Sequence, residues 1–192
     1  MMINTILYFH GFASSSDSDK AKIIKSHISK ISKKIKVLTP DLSNDFIEAN
    51  NQINKLINEN KKDFAFVGSS LGGFFASCFG SVNNSKVILI NPAIPPLEGF
   101  EQYLGENENY STGEKFNITK KDIEFLRSLV INKYINQKNT LVFLESGDEV
   151  LNYVEAAKYY RGSNIDITFG GNHSYESITK KLQKIVKFIE IQ

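Results

Sequence analysis

Six short apolar runs, each separated from the next by a longer stretch, constrain this chain more than any other feature. Ile3–Phe9, Ile35–Leu38, Phe64–Val67, Val87–Ile90, Leu141–Leu144 and Ile165–Phe169 are largely apolar at consecutive positions. A strand with one wet face alternates apolar and polar residues, whereas an uninterrupted run marks a strand covered on both faces. Between the runs, Ala21, Ile24, Ile28 and Ile31 recur at the spacing of one helix face. So do Ile53, Leu56 and Ile57, and later Ile178, Leu182, Ile185 and Ile189. This alternation predicts an α/β fold with a mostly parallel sheet, and right-handed crossovers then place helices on both faces. With 192 residues the chain suits one domain, 1–192, with a substantial core.

One stretch breaks the rhythm. From Asn91 to about Lys120 the chain carries Pro92, Pro95 and Pro96 among Gly, Asn and scattered aromatics. It is too long for a routine connection and too aromatic for a disordered linker, so it reads as an ordered excursion over the active-site side of the sheet. A net charge of +2 argues against nucleic acid as the main partner. The lysines between Lys20 and Lys36 are the solvated face of a helix whose other face is apolar. The first apolar run has no basic segment before it and no small-residue cleavage site after it. No run approaches the roughly 18 to 20 residues that cross a bilayer. A single cysteine, Cys78, excludes an intrachain disulfide framework and suits a reducing, cytoplasmic setting. It lies in an apolar helical stretch and is expected to be an inert buried thiol. With three scattered histidines, no metal-ligand spacing exists and no cofactor is implied.

Chemistry enters at Gly68-Ser69-Ser70-Leu71-Gly72, directly after the strand Phe64–Val67 and before a helical pattern. A serine in G-x-S-x-G between strand and helix sits on a sharp turn with its hydroxyl exposed. The flanking glycines are needed because a Cβ there would collide with the adjoining strand or helix, and the helix aims its first N–H groups at the serine. A tight turn without chemistry, or a phosphate loop, is the alternative for the pentapeptide alone; the loop lacks its Lys-Ser/Thr.

A serine hydroxyl needs a base. In hydrolases with this turn the order along the chain is Ser, acid, His, and of His10, His27 and His173 only His173 fits. The acid is expected after the penultimate strand, in Leu144-Glu145-Ser146-Gly147-Asp148-Glu149. Asp148 follows a glycine turn, and Glu149 is its nearest competitor. His10-Gly11-Phe12 follows the first strand, where such folds supply a second oxyanion donor. The expected donors are therefore the backbone N–H groups of Phe12 and Leu71. His10 then holds that loop by hydrogen bonds rather than acting as a base. His10, Gly11, Phe74, Phe100, Tyr103 and Tyr110 are candidates for a substrate pocket. Phe75 is a further candidate, with packing beneath the sheet as the alternative for it and Phe74.

Tyr8-Phe9-His10-Gly11-Phe12, Gly68 to Gly73, Asn91-Pro92-Ala93, Tyr103 to Asn109, Ser146 to Leu151 and Gly170-Gly171-Asn172-His173 together resemble the YqiA/YcfP-type bacterial esterases. The resemblance runs in order over nearly the whole chain. It implies a reduced α/β-hydrolase fold of about six strands in the order 2-1-3-4-5-6. It also implies a cofactor-free serine esterase acting on small-molecule acyl esters or thioesters, with Ser70, Asp148 and His173 as triad. Two positions depart from the pattern: Pro95 stands where arginine is frequent, and Asn152 where aspartate is. An acyltransferase using the same triad, or a non-catalytic binding protein on the same fold, are the other readings.

Overall fold

The computed structural model describes residues 3–60, 64–130 and 133–190. Its strands are β1 (Thr5–Phe9), β2 (Lys36–Leu38), β3 (Phe64–Ser70), β4 (Lys86–Pro92), β5 (Gly105–Glu108), β6 (Lys115–Ile118), β7 (Thr140–Glu145) and β8 (Asn164–Thr168). The helices are α1 (Asp19–Ile31), α2 (Phe46–Glu59), α3 (Leu71–Asn83), α4 (Lys120–Ser128), α5 (Tyr153–Tyr159) and α6 (Leu182–Phe188). Six strands form one sheet, β2-β1-β3-β4-β7-β8, and every adjacent pair is parallel. The predicted strands stand in the predicted spatial order. Only the numbering shifts, because the hairpin β5–β6 intervenes in the chain.

Consecutive apolar residues are needed because successive side chains point to opposite faces and both faces are covered. Leu7, Phe9, Phe66, Leu89 and Leu144 face a core shared with α2, α3, α4 and α5. Ile6, Tyr8, Ile88, Ile90 and Phe143 face a second core shared with α1 and α6. Each such fully buried side chain contributes about 1.5–3 kcal/mol of transfer free energy. The last strand departs from that pattern. β8 is a sheet edge paired only with β7, and Ile167 (37% exposed) and Phe169 (84% exposed) are wet. The final helical pattern also differs: it opens as a 3-10 turn over Glu176–Lys181 before α6, although Ile178, Ile185 and Ile189 are buried as their spacing requires. No helix among the described residues is long and apolar enough to cross a membrane.

The excursion is ordered. A 3-10 turn (Phe100–Tyr103) leads into the antiparallel hairpin β5–β6, then into α4. Phe100, Tyr103 and Phe116 surround the Phe12 ring, with centroids 5.5, 4.7 and 5.6 Å away. The Tyr110 N–H donates to Ala13 O (2.8 Å) and Asn109 Nδ2 to Ser14 O (2.9 Å). The hairpin is thereby fastened to the loop after β1.

Candidate active site

Parallel strands put all their C-terminal ends at one edge of the sheet, and ligands of open α/β sheets bind there. β3 ends there at Ser70, which is also the residue before α3. Its φ of 54° and ψ of −123° lie in a left-handed region that a side-chain-bearing residue enters at a cost on the order of 1–3 kcal/mol. The flanking glycines make the turn sterically possible. A Cβ on Gly68 would lie 2.1 Å from Gly72 O, and one on Gly72 only 2.2 Å from Phe9 O and 2.3 Å from His10 O. The predicted collisions are therefore with the start of α3 for Gly68 and with the end of β1 for Gly72.

Ser70, His173 and Asp148 meet although they are far apart in the chain. His173 Nε2 lies 3.0 Å from Ser70 Oγ, and His173 Nδ1 lies 2.9 and 3.0 Å from the two Asp148 oxygens. A carboxylate facing Nδ1 calls for the proton on that nitrogen, which leaves Nε2 to accept from the serine hydroxyl. The Asp148 side chain is almost wholly buried (2% exposed), and the imidazole is 22% exposed. Asp148 Oδ1 also accepts from the N–H groups of Val150 (2.9 Å) and Leu151 (2.8 Å), so its orientation is set by its own turn. Glu149, the competing acid, does something else. Its exposed carboxylate accepts the backbone N–H of His173 (2.9 Å), and that bond holds its pKa below the usual carboxylate value.

The loop carrying His173 rests on groups to which the sequence assigned no role. Glu145, at the end of β7, is buried, and its carboxylate accepts from Asn172 N (2.9 Å) and from Ser177 Oγ. Asn91, at the end of β4, accepts from Glu145 N (2.9 Å) and donates from Nδ2 to Asn172 O (3.0 Å) and His173 O (3.4 Å). From α1, Lys20 Nζ donates to Ser174 O (2.7 Å). Burial draws the Lys20 ammonium below its ordinary pKa, against the opposing pull of Asp19, Glu145 and Asp148. The Asn-Pro following the fourth apolar run was the only sequence signal for Asn91. Glu145 read simply as the end of a strand.

On the other side of Ser70, His10 Nε2 accepts from Leu42 N (2.9 Å), so Nδ1 carries the proton and donates to Gly11 O (2.9 Å). Burial lowers the pKa of this ring, outweighing the Gly11 bond and the Asp41 carboxylate, and favours the neutral form those bonds require. Gly11 lies directly against Ser70: a Cβ there would be 3.3 Å from Ser70 Cβ and 3.8 Å from Oγ. The Phe12 N–H has no acceptor among the described residues. Leu71 opens α3, where an N–H lacks an intrahelical partner.

The pocket expectations divide. His10 and Gly11 line a narrow crevice of about 20 Å³ beside Ser70, and Phe75 lines it too. Phe100 is buried and walls a larger cavity, while Tyr103 backs the Phe12 ring. Phe74 is not a pocket residue. It is 0% exposed, one helical turn beyond Ser70 on a helix enclosed by the core, and its ring packs on Phe75 at 5.8 Å. Tyr110 is not one either: it is 82% exposed at the hairpin turn, where only its backbone N–H makes the contact to Ala13. Cys78 is half-buried rather than buried as expected, and its surroundings push its thiol up to about 12, as suits an inert cysteine. Asn152 caps α5, accepting from Val154 N (2.9 Å) and Glu155 N (3.4 Å), which is work an aspartate would do equally well.

Residues 5–190 match the family described as "Uncharacterised protein family (UPF0227)". The chain belongs to that family. Among UPF0227 proteins, YcfP of Escherichia coli is 25% identical over 189 residues, which cover 95% of this chain and 97% of YcfP. The resemblance drawn from the motifs was to this group. Solved structures share the α/β-hydrolase fold at lower identity. The α/β hydrolase domain-containing protein 10 from mouse superposes with a TM-score of 0.75 at 15% identity, covering 97% of this chain and 89% of that one. The esterase domain of a Rhodothermus marinus protein gives 0.66 at 16%, covering 99% and 85%.

Proposed function

We propose that this UPF0227 chain is a single-domain serine esterase that hydrolyses carboxylic esters or thioesters through an acyl-enzyme. One observation carries the reading: the unbroken line Ser70 Oγ, His173 Nε2, His173 Nδ1, Asp148, begun at a serine held in a strained turn. A chain that used this fold only for binding would have no need of that strain or of a buried, doubly anchored carboxylate. The esterase domain from Rhodothermus marinus with the same fold supports the same class.

In the proposed reaction, Ser70 Oγ attacks the acyl carbonyl carbon while its proton passes to His173 Nε2. The carbonyl oxygen takes the electron pair and becomes an oxyanion. The N–H groups of Phe12 and Leu71 donate to it, each stabilising the transition state by on the order of 3 kcal/mol. Asp148 stabilises the imidazolium so formed. Collapse of the intermediate expels the alkoxide or thiolate, which takes the proton from Nε2. Water then attacks the acyl-enzyme, again giving its proton to His173, and the carboxylic acid leaves with Ser70 regenerated. The neutral His10 holds the loop that presents Phe12 and exchanges no proton with substrate.

Covalent labelling with a fluorophosphonate tests the assignment. The wild-type protein is expected to label at Ser70, Ser70→Ala not at all, and His173→Ala at least about 10³-fold more slowly. Labelling of Ser70→Ala at the wild-type rate refutes the reading.

A further inference from the structure

A cavity of about 340 Å³ opens between the segment Pro92–Phe100 and the loop that runs from Asp148 into α5. Both walls begin at the candidate triad. Pro92 pairs with Ser70 in the sheet, and Ala93 N donates to Ser70 O (3.0 Å). On the opposite wall, Leu151 N donates to Asp148 Oδ1 (2.8 Å). The geometry points to this cavity as the site of the acyl chain, and to a neutral, unbranched chain of medium length as its occupant. The inference rests on the reading of Ser70 as nucleophile.

Three observations carry it. The first is lining: Ile94, Leu97 and Phe100 on one side and Val150 and Leu151 on the other leave an apolar interior. The second is position. The leaving group must face His173 Nε2 to receive its proton, and the segment after His173 packs into the α1/α6 core through Tyr175 and Ile178. Ala93, Leu97 and Phe100 belong to the core on the other face of the sheet, with α3 and α5, so the cavity lies away from the leaving group. The crevice at the oxyanion loop, about 20 Å³, holds no more than a water molecule. At ~30 Å³ per water-sized group, the larger cavity takes a chain on the order of ten carbons.

The third is that the wall is tied down by a side chain from α4. Arg127 Nε donates to Pro96 O (2.9 Å) and Nη2 to Leu97 O (3.3 Å), while Nη1 pairs with Glu101 (2.7 Å). One guanidinium thus clamps the turn that carries Leu97. Charge selects among chains of equal length. Among the described residues, Glu98 and Glu155 are the charged groups of the lining, both exposed, and no basic side chain lines the cavity. Lys158 pairs with Glu155 (2.7 Å) from outside it, leaving Glu98 to oppose a chain that ends in a carboxylate.

Hydrolysis of p-nitrophenyl esters from acetyl to dodecanoyl is the test, with wild type, Ser70→Ala and Ile94→Trp compared. kcat/KM should rise by up to about fourfold per methylene and level off near decanoyl. Ile94→Trp should lower the octanoyl-to-acetyl ratio by about tenfold or more, and the adipic acid half-ester should react about tenfold slower than hexanoyl. A flat series in a protein whose hydrolysis is abolished by Ser70→Ala overturns the acyl site and leaves the nucleophile standing. Equal rates for adipoyl and hexanoyl overturn the neutral chain. If no ester is turned over, methyl octanoate titrated into Ser70→Ala still reads the cavity. Methyl NMR shifts at Ile94, Leu97 and Leu151, absent with methyl acetate, support the site, and no shift overturns it.

Discussion

Replacing Asn91 with alanine removes a side chain that ties β4 to both β7 and the His173 loop. Asn91 is 2% exposed. Its Oδ1 is the acceptor for the buried N–H of Glu145, and its Nδ2 serves Asn172 O and His173 O. Without it the Glu145 N–H is stranded, at about 1–3 kcal/mol, while the two carbonyls lie where water can reach them and lose about 1 kcal/mol together. Asn91 also has a φ of +38°, which asparagine tolerates and alanine does not, adding roughly 1 kcal/mol. The expected loss is about 3–5 kcal/mol in all. At an m-value of about 2 kcal/mol/M, the urea midpoint should fall by about 1.5–2.5 M. Asn91→Gly relieves the backbone strain but deletes the same hydrogen bonds, so it should recover no more than about 1 kcal/mol. Equilibrium unfolding followed by circular dichroism reads both variants. Midpoints within about 0.3 M of wild type for both would overturn this expectation, because they would mean that Glu145 N–H finds water or another acceptor at no cost.

Two further outcomes follow from the elbow and the loop beside it. A Gly72→Ala substitution places a Cβ 2.2 Å from Phe9 O, so β1 and α3 must separate; a loss of about 1–3 kcal/mol is expected, with fluorophosphonate labelling of Ser70 falling further than the folded fraction does. Labelling that merely tracks the folded fraction would show that the elbow accommodates the methyl without losing its geometry. His10 has its pKa lowered by burial, so it is held neutral in the folded state and protonates more readily unfolded. Its stabilising contribution is therefore complete above the unfolded value of about 6.5 and is lost as pH falls below that toward the lowered folded value. Thermal midpoints from pH 8 to 5 should fall more steeply in wild type than in His10→Asn, and identical slopes would remove His10 from the account.

The layout of the sheet was legible in the chain because its cause is local and repetitive. Strands covered on both faces need apolar residues at every position, and that requirement shows in Val87–Ile90 or Leu141–Leu144 without knowledge of any partner. Ser70 was legible for a related reason: a turn this tight needs glycine at both Gly68 and Gly72, so the geometry leaves its mark within five residues. His173 and Asp148 followed from the position of their loops after strands. The hairpin β5–β6 was not visible, since β5 (Gly-Glu-Asn-Glu) has no apolar face and β6 only two apolar residues, Phe116 and Ile118.

Only the tertiary structure decided how that constellation is held. Glu145 meets Asn91 across 54 positions, Asn91 meets Asn172 across 81, and Lys20 meets Ser174 across 154. A polar side chain carries no periodicity to announce its partner. Whether it is surface or keystone depends on which strand ends the fold brings together. The same holds for the pocket. Phe74 and Phe100 are alike in sequence, yet one is sealed beneath α3 and the other walls a cavity. An apolar ring gains similar transfer free energy in either place, so composition alone does not say which.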